Sequence, residues 1–250
     1  MSSPNRQSSP GTVLLLCIVV GMFLTWAIGA ANQGSLPTAV VAVAAAAWWT
    51  LPIWTRKAKR RAFARGTYTA DGTVIRPDRH LENLCWLVVA GGAAVWGAFG
   101  VLAAQHLLVI PGPIGDSEFG HSITSPLLFC AMALVLAAYT GRMIQLRGMS
   151  WLRLTHDGFK FAEVFWSHSG SWDEVVSVSD QAPGTSGATS PLAIKMRTGK
   201  PAIMRDSAVY AGPDGDALFE LVHYYWTHPK SRIELTDGLA LERLRARTAD

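Results

Sequence analysis

Three groups of residues have types suited to chemistry. The first is His156-Asp157, with His168 and the hydroxyls of Ser167, Ser169 and Ser171 close behind. A hydroxyl, an imidazole and a carboxylate are the parts of acyl transfer, the imidazole taking the proton of the attacking oxygen. The local pattern argues against that use. There is no G-x-S-x-G elbow, and Gly170-Ser171 lacks a strand-to-helix setting. His156-Asp157 falls in a predicted turn, where Asp commonly bonds nearby backbone. The second group is made of metal-ligating types. His223 and His228 are five residues apart, which misses the i, i+4 face of a helix, and Pro229 ends that helix. Cys17, Cys85 and Cys130 form no CxxC or Cys/His spacing and read as small apolar side chains. No Gly-rich loop precedes a helix to cradle phosphate. The sequence therefore predicts no catalytic, cofactor-binding or metal residues, no cofactor, and a protein that is not an enzyme.

The third group is cationic: Arg56, Lys57, Lys59, Arg60, Arg61 and Arg65. Its meaning comes from the distribution of charge over the 250 residues. Residues 1–54 carry one basic residue, Arg6, and no acid. Residues 55–83 carry eight basic and three acidic residues, a net +5. Residues 84–141 hold two acids and no base, and 142–250 hold thirteen of each sign. Half the residues are hydrophobic and 16% are charged, whereas an ordinary soluble domain carries about a quarter charged. This excludes a disordered chain and argues against a simple soluble protein. The cluster reads in two compatible ways. It holds one loop on the cytoplasmic side, and it attracts anionic headgroups at about 1 kcal/mol per basic residue. Nucleic acid is not an expected partner, because no binding motif is present and the tail is neutral.

The elements around that cluster are apolar and long. Between Arg6 and Arg56 lie 49 uncharged residues; a helix needs about 20 to cross a bilayer. Asn32-Gln33-Gly34-Ser35 and Pro37 mark a break, giving predicted spans at 13–31 and 37–54. A third covers 84–107, ahead of Pro111-Gly112-Pro113, and a fourth 124–143, from Ser125-Pro126. Arg6, an apolar run and Gly29-Ala30-Ala31 also fit a signal peptide, but the 19-residue run favours a retained helix. With the 55–83 loop inside and the lysine- and arginine-free 32–36 and 108–123 loops outside, both termini are cytoplasmic. Trp48, Trp49, Trp54, Trp86 and Tyr139 fall near the inner helix ends, as an aromatic belt requires.

Each span offers a thin stripe for helix packing: Gly21, Thr25 and Gly29; Thr38, Ala42, Ala46 and Thr50; Ala93, Gly97 and Val101, or Gly92 and Gly100 around Trp96; Ala133, Ala137 and Gly141. No Asp, Glu, Lys or Arg lies within a span, so proton-coupled transport by this chain alone has little support.

After Gly148 the pattern shortens to alternating runs. Trp151–Thr155 and Phe159–Trp166 are strand candidates across His156-Asp157-Gly158, an Asp-Gly hairpin signal. Phe159, Phe161 and Phe165 should share a face. Trp172, Val176 and Val178 should share the face of the next strand. A polar 181–190 loop follows, then Leu192, Ile194 and Met196 in alternation, a Thr198-Gly199 turn and a return strand, Ala202–Arg205. Leu218, Leu221, Val222 and Tyr225 at i, i+3, i+4, i+7 make an amphipathic helix over 214–227 that covers the sheet. A last helix is expected over 237–247. Arg153, Lys160, Lys195, Arg197, Lys200 and Arg205 are candidates for a basic sheet edge, or for an ordinary solvated face.

Leu152-Arg153-Leu154-Thr155-His156-Asp157-Gly158-Phe159, then Trp172-Asp173-Glu174-Val175 and the hairpin at Thr198-Gly199, in this order, resemble the bacterial pleckstrin-homology-like domains of multi-pass membrane proteins. Trp226-Thr227-His228-Pro229-Lys230-Ser231-Arg232 is similar to the ends of such tails in actinobacterial membrane proteins. The resemblance covers about 150–235 and implies a scaffold or interaction role. The family typically has seven strands; five or six are legible here.

The expected architecture is an all-α four-helix transmembrane bundle followed by a cytosolic α+β domain of five to six antiparallel strands, capped by a C-terminal helix. Residues 1–12 form a cytosolic segment, 13–147 the membrane region and 148–250 the domain. The expected role is that of a scaffold or accessory protein of the inner membrane, binding membrane lipids and a protein partner. The alternative is a subunit of a larger transport or export complex.

Overall fold

The computed structural model describes residues 10–59, 64–109, 126–180, 191–199, 201–205, 210 and 216–249. They form two compact units, one of residues 1–55 and 86–141, the other of 56–85 and 142–250.

The first unit is helical. It draws on α1 (Pro10–Asn32), α2 (Leu36–Lys59), α3 (Arg79–Ala104) and α4 (Pro126–Leu146). All four are long and apolar enough to cross a membrane. The first two meet at Gly34, whose φ of +77° ends α1 while Ser35 N–H donates to the Ala30 carbonyl. Helix α3 starts at Arg79, before the predicted 84, because Asp78 caps it: its Oδ1 accepts from the N–H groups of His80 (2.7 Å) and Leu81 (3.2 Å). That carboxylate fills two of the donors a helix start leaves open. The helix stops at Ala104, with His106 at φ +55°. The turn beyond is held by the Thr38 hydroxyl, which donates to the Leu107 carbonyl (3.0 Å), and by Trp26 Nε1–H, which donates to the Val109 carbonyl (2.7 Å).

The small-residue stripes are packed unevenly. Thr38, Ala42 and Ala46 are buried. A Cβ on Gly92 would meet the Trp48 ring at 2.7 Å, and one on Gly100 would meet the Cys130 sulfur at 2.9 Å. A Cβ on Gly21 or Gly141 would meet nothing within 4 Å, whereas one on Gly97 would meet the Ala133 methyl at 3.9 Å, so the fourth stripe packs at Ala133 and not at Gly141. Rings fill the centre instead: Phe99 stacks on Trp26 (5.3 Å) and on Phe129 (5.5 Å). Trp48 turns inward, its Nε1–H donating to the Val88 carbonyl at 2.7 Å.

The second unit has eight strands among the described residues: six within 148–250, where five or six were expected, and two more at 65–76. A five-stranded antiparallel sheet runs in chain order through β1 (Arg65–Thr69), β2 (Gly72–Arg76), β3 (Trp151–Leu154), β4 (Gly158–Ala162) and β5 (Ser167–Ser171). A three-stranded sheet holds β6 (Val175–Ser179), β7 (Leu192–Met196) and β8 (Ala202–Met204). Helices α5 (Asp216–Thr227) and α6 (Leu239–Ala249) follow, joined by a 3-10 stretch, Pro229–Leu235. Both sheets and both helices feed one core, with Ile75, Leu152, Phe161, Ile194, Leu218, Val222 and Leu241 among its members.

Three expectations are corrected. The 55–83 segment is not only a loop: it contributes β1 and β2 to the sheet. Phe165 does not join Phe159 and Phe161 inside, because β4 ends at Ala162 and Phe165 is 60% exposed on a turn. Val176 is 48% exposed, and Val175 takes its place beside Val178 in the core. The cause is a register shift between Val175 and Ser177, which moves the strand's alternation by one residue.

Candidate functional site

The cationic cluster is divided by the fold. Arg56, Lys57 and Lys59 lie in the last turns of α2, with Lys57 exposed and Lys59 half-buried. Arg60 and Arg61 lie outside the described residues. Arg65 opens β1, and its guanidinium pairs with the buried carboxylate of Glu82. Its Nε–H also donates to the Pro77 carbonyl at 3.1 Å. Glu82 accepts a further bond from the Met149 N–H at 3.2 Å. Gly148, at φ +149°, leaves the space in which that carboxylate sits. Arg76 reaches across to the Arg147 carbonyl at 2.8 Å. Arg65 is thus a structural cation clasping the 65–82 segment to 147–149, while the exposed charge of the cluster is at the end of α2.

The proposed basic edge is divided too. Arg153 and Lys160 stand directly opposite each other on β3 and β4. Like charges at such positions repel; here Asp71 lies 3.3 Å from the Arg153 guanidinium. Lys195 is on the other sheet, and Arg197 is turned to the Asp173 carbonyl at 3.3 Å. Lys200 lies outside the described residues.

The residues first considered for acyl transfer do not converge. His156 and Asp157 are 66% and 97% exposed in the β3–β4 turn, 3.1 Å apart. His168 lies against the Phe161 ring at 5.2 Å. Ser171 caps the short 3-10 helix Trp172–Glu174 and donates to the Asp157 carbonyl at 3.2 Å. His228 Nδ1 faces the Tyr224 carbonyl at 3.1 Å and the Thr227 hydroxyl at 2.9 Å. No group of three or more His, Cys, Asp or Glu able to hold a metal occurs among the described residues. An open cleft of about 350 Å³ lies between Gly66–Tyr68 and Asp237–Arg245. Its walls mix Thr67, Tyr68, Asp237, Glu242 and Arg245 with Leu241.

The structure does bring together the short motifs read from the tail. Trp172 donates its N–H to the Asp157 carbonyl (3.0 Å) and its Nε1–H to the Thr155 carbonyl (2.9 Å). The guanidinium of Arg232 lies over the Trp172 ring at 5.3 Å. Arg232 also donates to the carbonyls of Tyr225 (2.9 Å) and Trp226 (3.3 Å). A helix C-terminus leaves such carbonyls unpaired and partly negative, so a buried arginine there is both donor and counter-charge. Burial lowers its pKa from the ordinary value, while Asp173 and Asp157 oppose that shift. The roles of Glu82 and Arg232 are not legible in the sequence. Each depends on a partner with no periodic relation to it along the chain. No protein family, curated protein or solved structure matches the chain.

Proposed function

We propose that the chain is a multi-pass inner-membrane protein whose strand-rich unit is a cytoplasmic pleckstrin-homology-like domain. In this reading it serves as a scaffold or accessory protein, with membrane lipids and a protein partner as its ligands and no reaction of its own. One observation carries the reading: the two units present opposite kinds of surface. The long helices expose Leu14, Ile18, Met22, Val40, Leu134 and Val135, side chains that lipid accepts and water does not. The second unit has a buried core of its own and exposes Lys160, Lys195 and Glu242, with exposed large apolar side chains such as Phe165 and Ile233 scattered among them. Two antiparallel sheets sharing a core with a helix after the last strand also suit the pleckstrin-homology-like reading.

The test is a membrane-impermeant maleimide on single cysteines at Lys160→Cys and Lys195→Cys, with Cys17, Cys85 and Cys130 replaced by alanine. Labelling of both positions in inverted vesicles, and of neither in right-side-out vesicles, is the expected result. Labelling from the outer face would overturn the orientation and with it the cytoplasmic role.

A further inference from the structure

We propose that Phe165 and Trp166 form an interfacial anchor, buried among the headgroups of the leaflet that receives the end of α4. The inference rests on the membrane-spanning reading above and adds a second lipid contact, made by the strand-rich unit itself.

The tip of the β4–β5 hairpin is closed by a pair of backbone bonds. Glu163 N–H donates to the Trp166 carbonyl (2.8 Å), and Trp166 N–H donates to the Glu163 carbonyl (3.3 Å). Val164, inside this turn, is buried. Phe165 and Trp166 are not: they are 60% and 61% exposed. Two adjacent exposed large aromatics on a tight turn are an unusual cost for a water-facing surface.

The turn is fixed from two sides. Arg142 Nε–H donates to the Val164 carbonyl at 3.0 Å. The Glu163 carboxylate accepts from the Arg205 N–H at 3.0 Å. The rings are therefore held out by a braced turn, with little ordering left to do on binding.

Arg142 identifies the occupant. It is the first charged residue of α4 after Pro126–Gly141, which carries no charge. A helix whose neutral stretch lies in hydrocarbon brings its first cation to the headgroup level. Arg142 keeps one hydrogen bond within α4, to Gln145 Oε1 at 2.8 Å, and gives the other to the hairpin. The tip is thus within one arginine's reach of the lipid–water boundary. Tryptophan and phenylalanine partition to that boundary, the indole keeping its N–H among polar groups.

The experiment is electron paramagnetic resonance of the full chain in vesicles of phosphatidylcholine and phosphatidylglycerol. Single spin labels go at Phe165→Cys, His156→Cys and Leu134→Cys on the cysteine-free background. Oxygen, which enters lipid, and a nickel chelate, which stays in water, are the relaxants. The label at 165 should show an oxygen-to-nickel accessibility ratio several-fold above that at 156, and below that at 134. Equal water exposure at 165 and 156, with 134 in lipid, would overturn the anchor and leave the spanning reading intact. A water-exposed 134 would overturn both. A label at 165 screened from both relaxants would put a protein over the tip and overturn the lipid assignment. A second measurement keeps both native rings: headgroup-proximal brominated lipid should quench the full chain more than its Trp166→Phe variant. Equal quenching of the two would overturn the proposal.

Discussion

Tyr225 concentrates in one side chain what holds the C-terminal helices together. Its ring is buried in the core, and its hydroxyl donates to Glu234 Oε2 at 3.2 Å. The same carboxylate takes two bonds from Arg243, at 2.9 and 3.1 Å, and Arg243 lies over the Tyr224 ring at 4.3 Å. Burial, and then the negative charge of Glu234, push the Tyr225 pKa well above the usual tyrosine range. The folded state therefore holds this proton more tightly than the unfolded chain, where a tyrosine ionises near pH 10. Its contribution to stability is complete below about pH 10 and is lost as pH rises from there toward the folded-state value. Tyr225→Phe should cost at most about 1.5 kcal/mol at neutral pH, the net worth of one hydrogen bond. It should also flatten the alkaline loss of stability. Denaturant titrations of the full chain at pH 8 and pH 11 check this. An alkaline loss in Tyr225→Phe as steep as in the parent would refute the assignment. The burial of Tyr225 was legible from its i, i+7 relation to Leu218. Its partner was not, since Glu234 lies beyond a proline that ends the helical period.

At the scale of elements, the long apolar helices and the amphipathic helix are legible because continuous apolar length and a 3.6-residue period are both local patterns. The four apolar helices, the hairpin at His156-Asp157 and the helix ending at Thr227 all follow from residues adjacent in the chain. Three strands, β1, β2 and β5, are not legible from local alternation, for two distinct reasons. In β5, Ser167–Ser171 offers neither alternation nor branched side chains; it is a strand because β4 supplies a partner along its whole length. Pairing of this kind overrides intrinsic preference. In β1 and β2 the turn signal is present. Asp71-Gly72 is the same dipeptide that marks the hairpin at residues 157–158, but the surrounding arginines give the segment the charge pattern of a topology loop as well. Gly72 is required at this turn: its φ is +127°, and a Cβ would collide with the Leu154 carbonyl. Gly72→Val should thus cost more than about 1 kcal/mol, the bound set by compatible glycine replacements, and it should separate β2 from β3. Hydrogen exchange should show lost protection in Thr73–Ile75 and Leu152–Leu154, with α1 and α3 unchanged. Undiminished protection in β2 would contradict the collision.

On the scale of the whole molecule, the chain composes its second unit from two pieces separated by two long helices. A boundary at residue 148 follows from composition alone, since that is where continuous apolar sequence ends. Cooperative contacts place it elsewhere: Ile75 and Leu81 are fully buried in the core of the strand-rich unit. The buried Thr73 hydroxyl donates to the Leu235 carbonyl at 2.6 Å, across 162 residues. No local pattern carries such a pairing. It has a consequence for any excised tail. Residues 148–250 alone would present β3 as an unpaired edge and lose the side chains of Ile75 and Leu81 from the core, each fully buried aliphatic chain being worth about 1.5–3 kcal/mol. They would also leave the Met149 N–H without the Glu82 carboxylate. Small domains have only about 5–15 kcal/mol in total. An exposed strand edge next to apolar surface directs the deficit toward aggregation. The excised 148–250 fragment should therefore be insoluble or lack dispersed backbone amide signals. A fusion that supplies 64–85 through a flexible linker should be soluble and protected from exchange in β3. A well-folded 148–250 fragment would show that the β1–β2 hairpin is an accessory to that domain and not part of its fold.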